Sequence, residues 1–511
     1  MLDIKTLMAL KSGTDIRGVA VDGIDGEPLN LTDTVVDHIV RAFVIWLSQN
    51  SGKSADTLTV AVGRDSRISG PRICDAVCTA LTDCGVTVLN CGLAATPAMF
   101  MTTVDLGVDG AIQITASHHP YHRNGLKFFT RAGGLESRDI TAVLETAATL
   151  EPTSAAVAGT CTASDYMHQY AANLRQMICN GVHGAQHPDK PLDGWKIVVD
   201  AGNGAGGFYA RDVLAPLGAD VTGSQFLEPD GMFPNHIPNP ENAAAMASAS
   251  RATVAAKADL GIIFDTDVDR AACVDASGRE INRNALIALA ACIALDGHDG
   301  GTIVTDSVTS DGLKWFIESA LGGKHHRFKR GYKNVINEAI RLNNEGIDAP
   351  LAIETSGHAA MRDNYFLDDG AYLITQIIIK AVNLRLQGSS LDALIARLPQ
   401  PAEVAELRFG ITKPDFRPYG EQVLRDLEAL AHQNGWKVAD DSFEGVRVSF
   451  DEAGGNGWLL LRLSVHDPVM PMNVESNRLG GCRQILEQVK AFLLAQDGLN
   501  AAELTAYLEK E

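Results

Sequence analysis

AIQITASHHP, residues 111–120, joins two textures. AIQI (111–114) is a short apolar run of strand character, and TASHHP is a polar turn that sets a serine between an alanine and two histidines. Arg123 and Lys127 follow soon after. The same junction recurs where LGIIF (260–264) enters DTDVDR and where LAI (351–353) enters ETSGH. Further strand signals lie at TLTVAV (57–62), VTVLN (86–90), KIVVD (196–200), ADVTGS (219–224) and TIVTD (302–306), with amphipathic stretches such as RICDAVCTALTDCG between them. An apolar strand that runs into a polar loop and then a helical segment predicts parallel βαβ units, and three such sets predict three related α/β domains. In open α/β sheets, ligands bind outside the carboxyl ends of the strands, so the three polar loops are read as parts of one site.

The chain has 511 residues, too many for one ordinary core, and its length suggests three or four domains. Small polar breaks at EPTSAAVAGTCTASD (151–165), ALDGHDGG (294–301) and ARLPQPAEVAE (396–406) suggest segments 1–162, 163–297, 298–400, 401–497 and 498–511. Beyond the third break the pattern changes to a helix (YGEQVLRDLEALAHQ), strands (GVRVSF, GWLLLRLS, PMNVES) and a closing helix (GGCRQILEQVKAFLLAQ). That pattern predicts a smaller α+β domain, with LNAAELTAYLEKE as an accessory C-terminal helix.

A formal net charge of -20 disfavours a nucleic-acid partner, while a local cluster of Arg and Lys would still serve an anionic small ligand. There is no run of eighteen apolar residues, so no membrane span is expected, and the first residues lack a credible signal-peptide core. The nine cysteines form no C-x-x-C pair; Cys74 and Cys78, one helical turn apart, read as buried thiols, and a reducing cytoplasm is expected. The sequence leaves monomer and homodimer both open.

Each loop suits a particular chemistry. In DTDVDR, Asp265, Asp267 and Asp269 at alternate positions can converge on a hard divalent cation such as magnesium. An EF-hand would need glycine at its sixth position and glutamate at its twelfth, where this chain has Arg270 and Ala276. Arg270, directly after the carboxylates, suits a phosphate held at the same ion. The bland competitor is a solvated acidic turn, but so apolar a strand argues for use. Ser117 lacks the G-x-S-x-G frame of an esterase elbow, and its neighbours His118, His119, Arg123 and Lys127 suit a serine that carries a phosphoryl group. ETSGH offers Glu354, Ser356 and His358, groups that hold a sugar well. In RLSVHDP (462–468), Arg462 can fork onto a phosphate with Ser464 beside it. Taken singly, the last two loops read equally as ordinary turns.

Together and in this order, the loops resemble those of the α-D-phosphohexomutases, the phosphomannomutase and phosphoglucomutase family. The family's serine loop T-A-S-H-N-P with N-G-x-K is matched by TASHHP and NGLK, its D-x-D-x-D-R by DTDVDR, and its G-E-x-S-G-H by IETSGH. Its R-x-S-x-T-x-P is partly matched by RLSVHDP. Lesser echoes are GTDIRG (13–18), GRDSRISG (63–70), VDAGNGAGG (199–207), PDGMFPNHIPNP (229–240) and RGYK (330–333). The departures are His119 for asparagine, Ile353 for glycine, and Val465 and His466 in the phosphate loop.

The resemblance implies three related α/β domains plus a smaller C-terminal α+β domain around a central cleft. It implies a phosphoserine at Ser117 and magnesium held by Asp265, Asp267, Asp269 and the serine's own phosphate. Arg17 and Lys127 would lie near the transferred group, with Lys127 as acid/base and His118 as helper. Glu354, Ser356, His358 and Lys333 would contact the sugar, and Arg462 and Ser464 the phosphate not being transferred. The activity implied is interconversion of hexose 1-phosphate and hexose 6-phosphate through a bisphosphorylated sugar, with catalytic hexose 1,6-bisphosphate as activator. Mannose and glucose lead together as the sugar, and glucosamine follows. A sugar-bisphosphate synthase and a non-catalytic sugar-phosphate-binding paralogue are the alternatives.

Overall fold

The structure is a computed structural model that describes residues 2–464 and 467–509. The chain divides into two compact units, Met1–Leu286 with Ser356–Ala393, and Ile287–Thr355 with Leu394–Glu511.

The first unit opens with a mixed sheet. Strand Thr59–Arg64 lies parallel between Thr87–Leu93 and Gly110–Ile114. Arg123–Thr130 runs antiparallel to Gly110–Ile114 and pairs Asp15–Val19 on its other side. Helices Asp33–Ser51, Gly70–Asp83 and Ser137–Thr149 bury Val36, Phe43, Ile73, Val77 and Leu144 in one core with Val60, Val62, Ile112 and Ile114. Gly110–Ile114 is buried at every residue, which explains why AIQI is apolar rather than alternating. Its one polar side chain, Gln113, donates from Nε2 to the Ala94 carbonyl at 2.8 Å, while its buried Oε1 has no hydrogen-bond partner among the described residues.

A second sheet of this unit runs in the order Glu280–Ile281, Ala271–Asp275, Leu260–Phe264, Ile197–Asp200. Leu260–Phe264 is parallel to Ile197–Asp200 and antiparallel to Ala271–Asp275. Helix Ala243–Ala256 packs Ala245, Met246 and Ala249 against Ile263, Ala272 and Val274. Helix Gly370–Leu386 covers Ala271–Asp275 from the same unit.

Two sequence expectations change here. A helix was anticipated after each polar loop, yet the serine loop returns as the antiparallel strand Arg123–Thr130 and the carboxylate loop as Ala271–Asp275. Residues 265–270 are too few for a parallel crossover, which takes about a dozen or more, so the apolar AACVD folds straight back. ADVTGS (219–224) is no strand but a turn with a single bridge, Lys196 to Asp220. Gly218 at φ +96° and Gly223 at φ +105° bend the chain on either side of the bridge, a conformation that glycine adopts without a side-chain clash.

In the second unit Thr302–Asp306 lies parallel between Lys324–Phe328 and Leu351–Ile353, with helix Tyr332–Asn344 crossing from one outer strand to the other. The C-terminal sheet is antiparallel throughout and ordered Lys437–Val438, Val446–Phe450, Gly457–Leu461, Val469–Ser476, Glu403–Ile411, Leu499–Asn500. Strand Glu403–Ile411 alternates, with Ala405, Leu407, Phe409 and Ile411 buried and Val404 exposed, as a sheet with one covered face requires. Helices Phe416–Gln433 and Gly481–Leu494 supply Leu427, Ile485 and Val489 to that core. The tail read as an accessory helix is helical at Ala502–Glu509, but it does not stand apart: Leu499–Asn500 extends the sheet, and Leu504 and Leu508 enter its core.

Among the described residues no helix is long and apolar enough to cross a membrane, and Cys74 and Cys78 are buried free thiols.

Candidate active site

Ser117 follows the buried strand Gly110–Ile114 and adopts φ +50°, the left-handed region that costs an L-residue roughly 1–3 kcal/mol. Its hydroxyl is buried, donates to Asp265 Oδ2 at 3.3 Å and accepts from the Arg270 guanidinium at 2.9 Å. The same guanidinium donates to His118 Nδ1 at 2.8 Å. Arginine is only a donor, so Nδ1 carries a lone pair and His118 is the neutral tautomer with its proton on Nε2. His118 is exposed and sits beside the serine as an acceptor, not as a cation. His119 contributes its backbone carbonyl to the loop's support. Lys127 faces Gln113 and Arg17 faces Gly125 across the neighbouring strand pairs, which puts Arg17 and Lys127 on one face of the sheet. Arg17 ion-pairs with Asp15 at 2.8 Å.

The six-residue loop between strands Leu260–Phe264 and Ala271–Asp275 gathers Asp265, Asp267 and Asp269 on one side. Val268, fully buried, takes φ +70°, a second strained residue after Ser117. Carboxylate oxygens from the three aspartates lie within 4.8 Å of one another. Burial, and then the charges of Asp269 and Asp267, push the Asp265 carboxyl well above the usual range. Burial also opposes ionisation of Asp269, but Lys127, His358 and Arg270 outweigh it and hold that group down. Lys127 Nζ reaches Asp269 at 2.5 Å and Asp267 at 3.4 Å. Asp267 Oδ1 and Asp269 Oδ1 are buried and have no hydrogen-bond partner among the described residues. An all-oxygen, mutually repelling set with unused lone pairs fits a magnesium ion. Burial weighs against the charge of Arg270, yet Asp265 and Asp269 more than restore it, so the guanidinium stays cationic beside the serine. Ser356 and His358 belong to the same unit; their side chains are 2.8 Å apart, and His358 Nε2 stands 3.8 Å from Asp269 and 3.6 Å from Asp368.

The remaining sequence candidates lie in the second unit. Glu354, buried at the end of strand Leu351–Ile353, accepts from the Gly331 N–H at 2.6 Å. Lys333 is half-buried in the first turn of helix Tyr332–Asn344. Asp306, at the end of the neighbouring strand, accepts from Thr355 Oγ1 at 2.6 Å; burial first, and then Glu354, push it up to about 7. Arg462 follows strand Gly457–Leu461 and stands 3.7 Å from Glu444, which also accepts from Ser307 Oγ at 2.6 Å and the Arg330 N–H at 3.0 Å. Arg462 Nε is buried and unpaired among the described residues, a donor left for an oxyanion. Ser464 is half-buried and accepts from the Asp467 N–H at 3.3 Å. Val465 and His466, the departures from the family's phosphate loop, lie outside the described residues.

Several supporting groups escaped the sequence reading. Thr96, at the start of helix Thr96–Asp105, donates its hydroxyl to Asp267 Oδ2 at 2.5 Å and its N–H to the Asp267 carbonyl at 2.8 Å. Asn239 accepts from Arg270 at 3.3 Å, and Glu241 pairs with it at 3.6 Å. Arg67 underlies the serine loop. The GRDSRISG and PDGMFPNHIPNP echoes held two of these sites without disclosing their contacts, and Thr96 carried only the T-P signature of a helix start.

A hydroxyl pinned between a permanent cation and a carboxylate cluster suits phosphoryl transfer through the serine. Comparison with known proteins agrees. The chain matches Phosphoglucomutase/phosphomannomutase, alpha/beta/alpha domain I over residues 11–153, domain II over 169–278 and domain III over 282–402. It is 30% identical over 475 residues to a phosphomannomutase of Salmonella montevideo, covering 90% of this chain and 93% of the relative. It is 28% identical over 486 residues to a phosphoglucomutase of Neisseria meningitidis serogroup A, covering 95% and 96%. A crystal structure of a phosphoglucomutase/phosphomannomutase family protein from Burkholderia thailandensis superposes with a TM-score of 0.78 at 26% identity, covering 98% of this chain and 99% of that one. The chain belongs to the phosphoglucomutase/phosphomannomutase family, and it is a phosphohexomutase, an intramolecular phosphotransferase.

Proposed function

We propose that this enzyme interconverts hexose 1-phosphate and hexose 6-phosphate, with mannose or glucose as the sugar, using Ser117 as the phosphoryl carrier. One observation carries the assignment: the Ser117 hydroxyl lies between Arg270 at 2.9 Å and Asp265 at 3.3 Å at the end of a buried strand. On this reading segments 1–162, 163–297, 298–400 and 401–497 carry the serine, the metal, the sugar and the distal phosphate in turn, and the accessory segment 498–511 packs with the last. A cytoplasmic setting agrees with the free thiols.

In the first half-reaction the Ser117 Oγ–phosphorus bond breaks as phosphorus bonds the free hydroxyl oxygen of the hexose monophosphate. Lys127, an ammonium beside Asp269, gives a proton to the departing Ser117 Oγ and takes the proton of the attacking hydroxyl in its place. Arg270 and Arg17 neutralise charge on the moving group, and neutral His118 orients the Arg270 guanidinium. A magnesium ion held by Asp265, Asp267, Asp269 and the serine's phosphate would supply further charge neutralisation. The bisphosphate then reverses end for end. Ser117 takes back the other phosphate, Lys127 returns its proton to the freed oxygen, and hexose 1,6-bisphosphate reloads any enzyme that has lost its phosphate. Glu354, Ser356, His358 and Lys333 hold sugar hydroxyls through either orientation.

A panel of mannose, glucose and glucosamine 1-phosphates, assayed with magnesium and trace hexose 1,6-bisphosphate, tests the proposal. The mannose and glucose esters are expected to give their 6-phosphates with kcat/KM at least about tenfold above the glucosamine ester, since one changed hydroxyl contact is worth roughly 1–2 kcal/mol. Stoichiometric accumulation of bisphosphate would point to a synthase. Binding with no turnover of any ester would point to a sensor.

The Arg462 assignment has its own test. A charge-assisted hydrogen bond from arginine to phosphate is worth roughly 1.5–3 kcal/mol, so Arg462→Ala is expected to cost about tenfold to a few hundredfold in kcat/KM. Release of free bisphosphate during turnover should rise, because the reversing intermediate loses an anchor. Steady-state rates and bisphosphate release both within about twofold of wild type would remove this loop from the phosphate site.

A further inference from the structure

We propose that Arg67 is the positioning residue that holds Ser117 in the geometry for accepting and returning phosphate; this rests on reading Ser117 as the carrier. Arg67 lies in the GRDSRISG stretch after strand Thr59–Arg64, is fully buried, and commits all five of its guanidinium N–H groups. Nε donates to Asp65 Oδ2 at 3.0 Å. One terminal nitrogen donates to the carbonyls of Pro120 at 2.7 Å and Arg123 at 3.0 Å. The other donates to the carbonyls of Ser117 and, at 2.7 Å, His119. Four carbonyls of the serine loop thus converge on one side chain, and one of them belongs to the serine.

Asp65 adds a second link. It accepts from Thr115 Oγ1 at 2.8 Å, and the same oxygen accepts from the Ser117 N–H at 2.9 Å. Both backbone polar groups of Ser117 are therefore fixed by the Arg67–Asp65 pair, which imposes φ +50° on a residue that would relax out of it unaided. Phe233 covers the guanidinium at 5.2 Å from its ring centroid. Gly231, in the same PDGMFPNHIPNP loop, bridges Arg67 so closely that a Cβ there would strike the backbone of Ser66 and Ile68. That loop also carries Asn239, which accepts from Arg270 at 3.3 Å. One loop thereby braces both guanidiniums that grip the serine, Arg67 at its carbonyl and Arg270 at its hydroxyl. Lysine could not replace Arg67, because three donors on a flexible stem cannot meet five fixed acceptors.

The test measures the single-turnover rate at which hexose 1,6-bisphosphate labelled in both phosphates labels the protein, using wild type, Arg67→Lys and Thr115→Val. Thr115→Val keeps its shape while cutting the Asp65 link, and so covers the case in which Arg67→Lys does not fold. Labelling is expected to slow at least thirtyfold in Arg67→Lys and about tenfold in Thr115→Val. Manganese affinity at the Asp265–Asp267–Asp269 cluster and KM for hexose 1-phosphate should stay within threefold of wild type. A purely structural loss would slow labelling, weaken manganese affinity and raise KM together, and that pattern, or labelling within threefold of wild type in a folded variant, overturns the proposal. If wild type carries its label on a residue other than Ser117, the carrier assignment itself falls and the Arg67 role with it.

Discussion

Ser117→Ala is expected to reduce interconversion of hexose phosphates by at least about 10⁴-fold, to the level of solvent hydrolysis and binding alone, because the group that stores phosphate between half-reactions is gone. The loss should be in kcat. The hydroxyl makes one donated and one accepted hydrogen bond, and the Arg270 group that loses it keeps His118 and Asp265. Folding stability should accordingly change by no more than about 1 kcal/mol, the ordinary net worth of such a bond. Substrate binding, measured by calorimetry, should persist. A variant that folds, binds and keeps more than a tenth of wild-type turnover would refute the carrier role.

The second large effect is expected at the carboxylate cluster. Asp267→Asn removes one charge from the set that fits a divalent cation, leaving an amide that is a poorer magnesium ligand. Changing a group that merely supports a metal ligand costs 10–100-fold in metal affinity, so loss of a ligand should cost at least about 100-fold in turnover at fixed magnesium. Raised magnesium should recover part of that loss, which separates weakened affinity from misfolding. Wild-type enzyme should fall silent in chelator and regain its rate when magnesium is restored. Thr96→Val, which deletes the 2.5 Å hydrogen bond to Asp267 Oδ2, should give a smaller loss of the same kind. Turnover indifferent to both chelation and Asp267→Asn would exclude the metal assignment.

How much of this was legible in the sequence depended on the range of each contact. The serine and carboxylate loops announced themselves because their chemistry is packed into a few consecutive residues at the ends of apolar strands. The strands themselves were legible for the same reason: AIQI and LGIIF are buried on both sides, and runs apolar at every position but Gln113 record that. What followed the loops was not legible, because NGLKFFT and AACVD are compatible with either a crossover or a hairpin until loop length is weighed. ADVTGS reads as a strand by its β-branched residues, and tertiary bends override that propensity. Thr96, Arg67 and Asn239 stayed hidden because their partners lie far off in sequence: Thr96 meets Asp267, Arg67 meets residues 117–123, and Asn239 meets Arg270. No local periodicity encodes such pairings. The C-terminal tail read as an accessory helix, but its leucines fill a core assembled from residues between Ala405 and Leu493.

The central claim is that phosphate resides on Ser117 and is passed to and from the sugar. Peptide mass spectrometry of enzyme treated with hexose 1,6-bisphosphate, then with excess hexose 1-phosphate, addresses it most directly. The expected result is phosphate on the peptide containing TASHHP, assigned to Ser117, which disappears on the second treatment as bisphosphate forms. Phosphate on another residue, or an enzyme that turns over normally while Ser117 is never phosphorylated, would contradict the account.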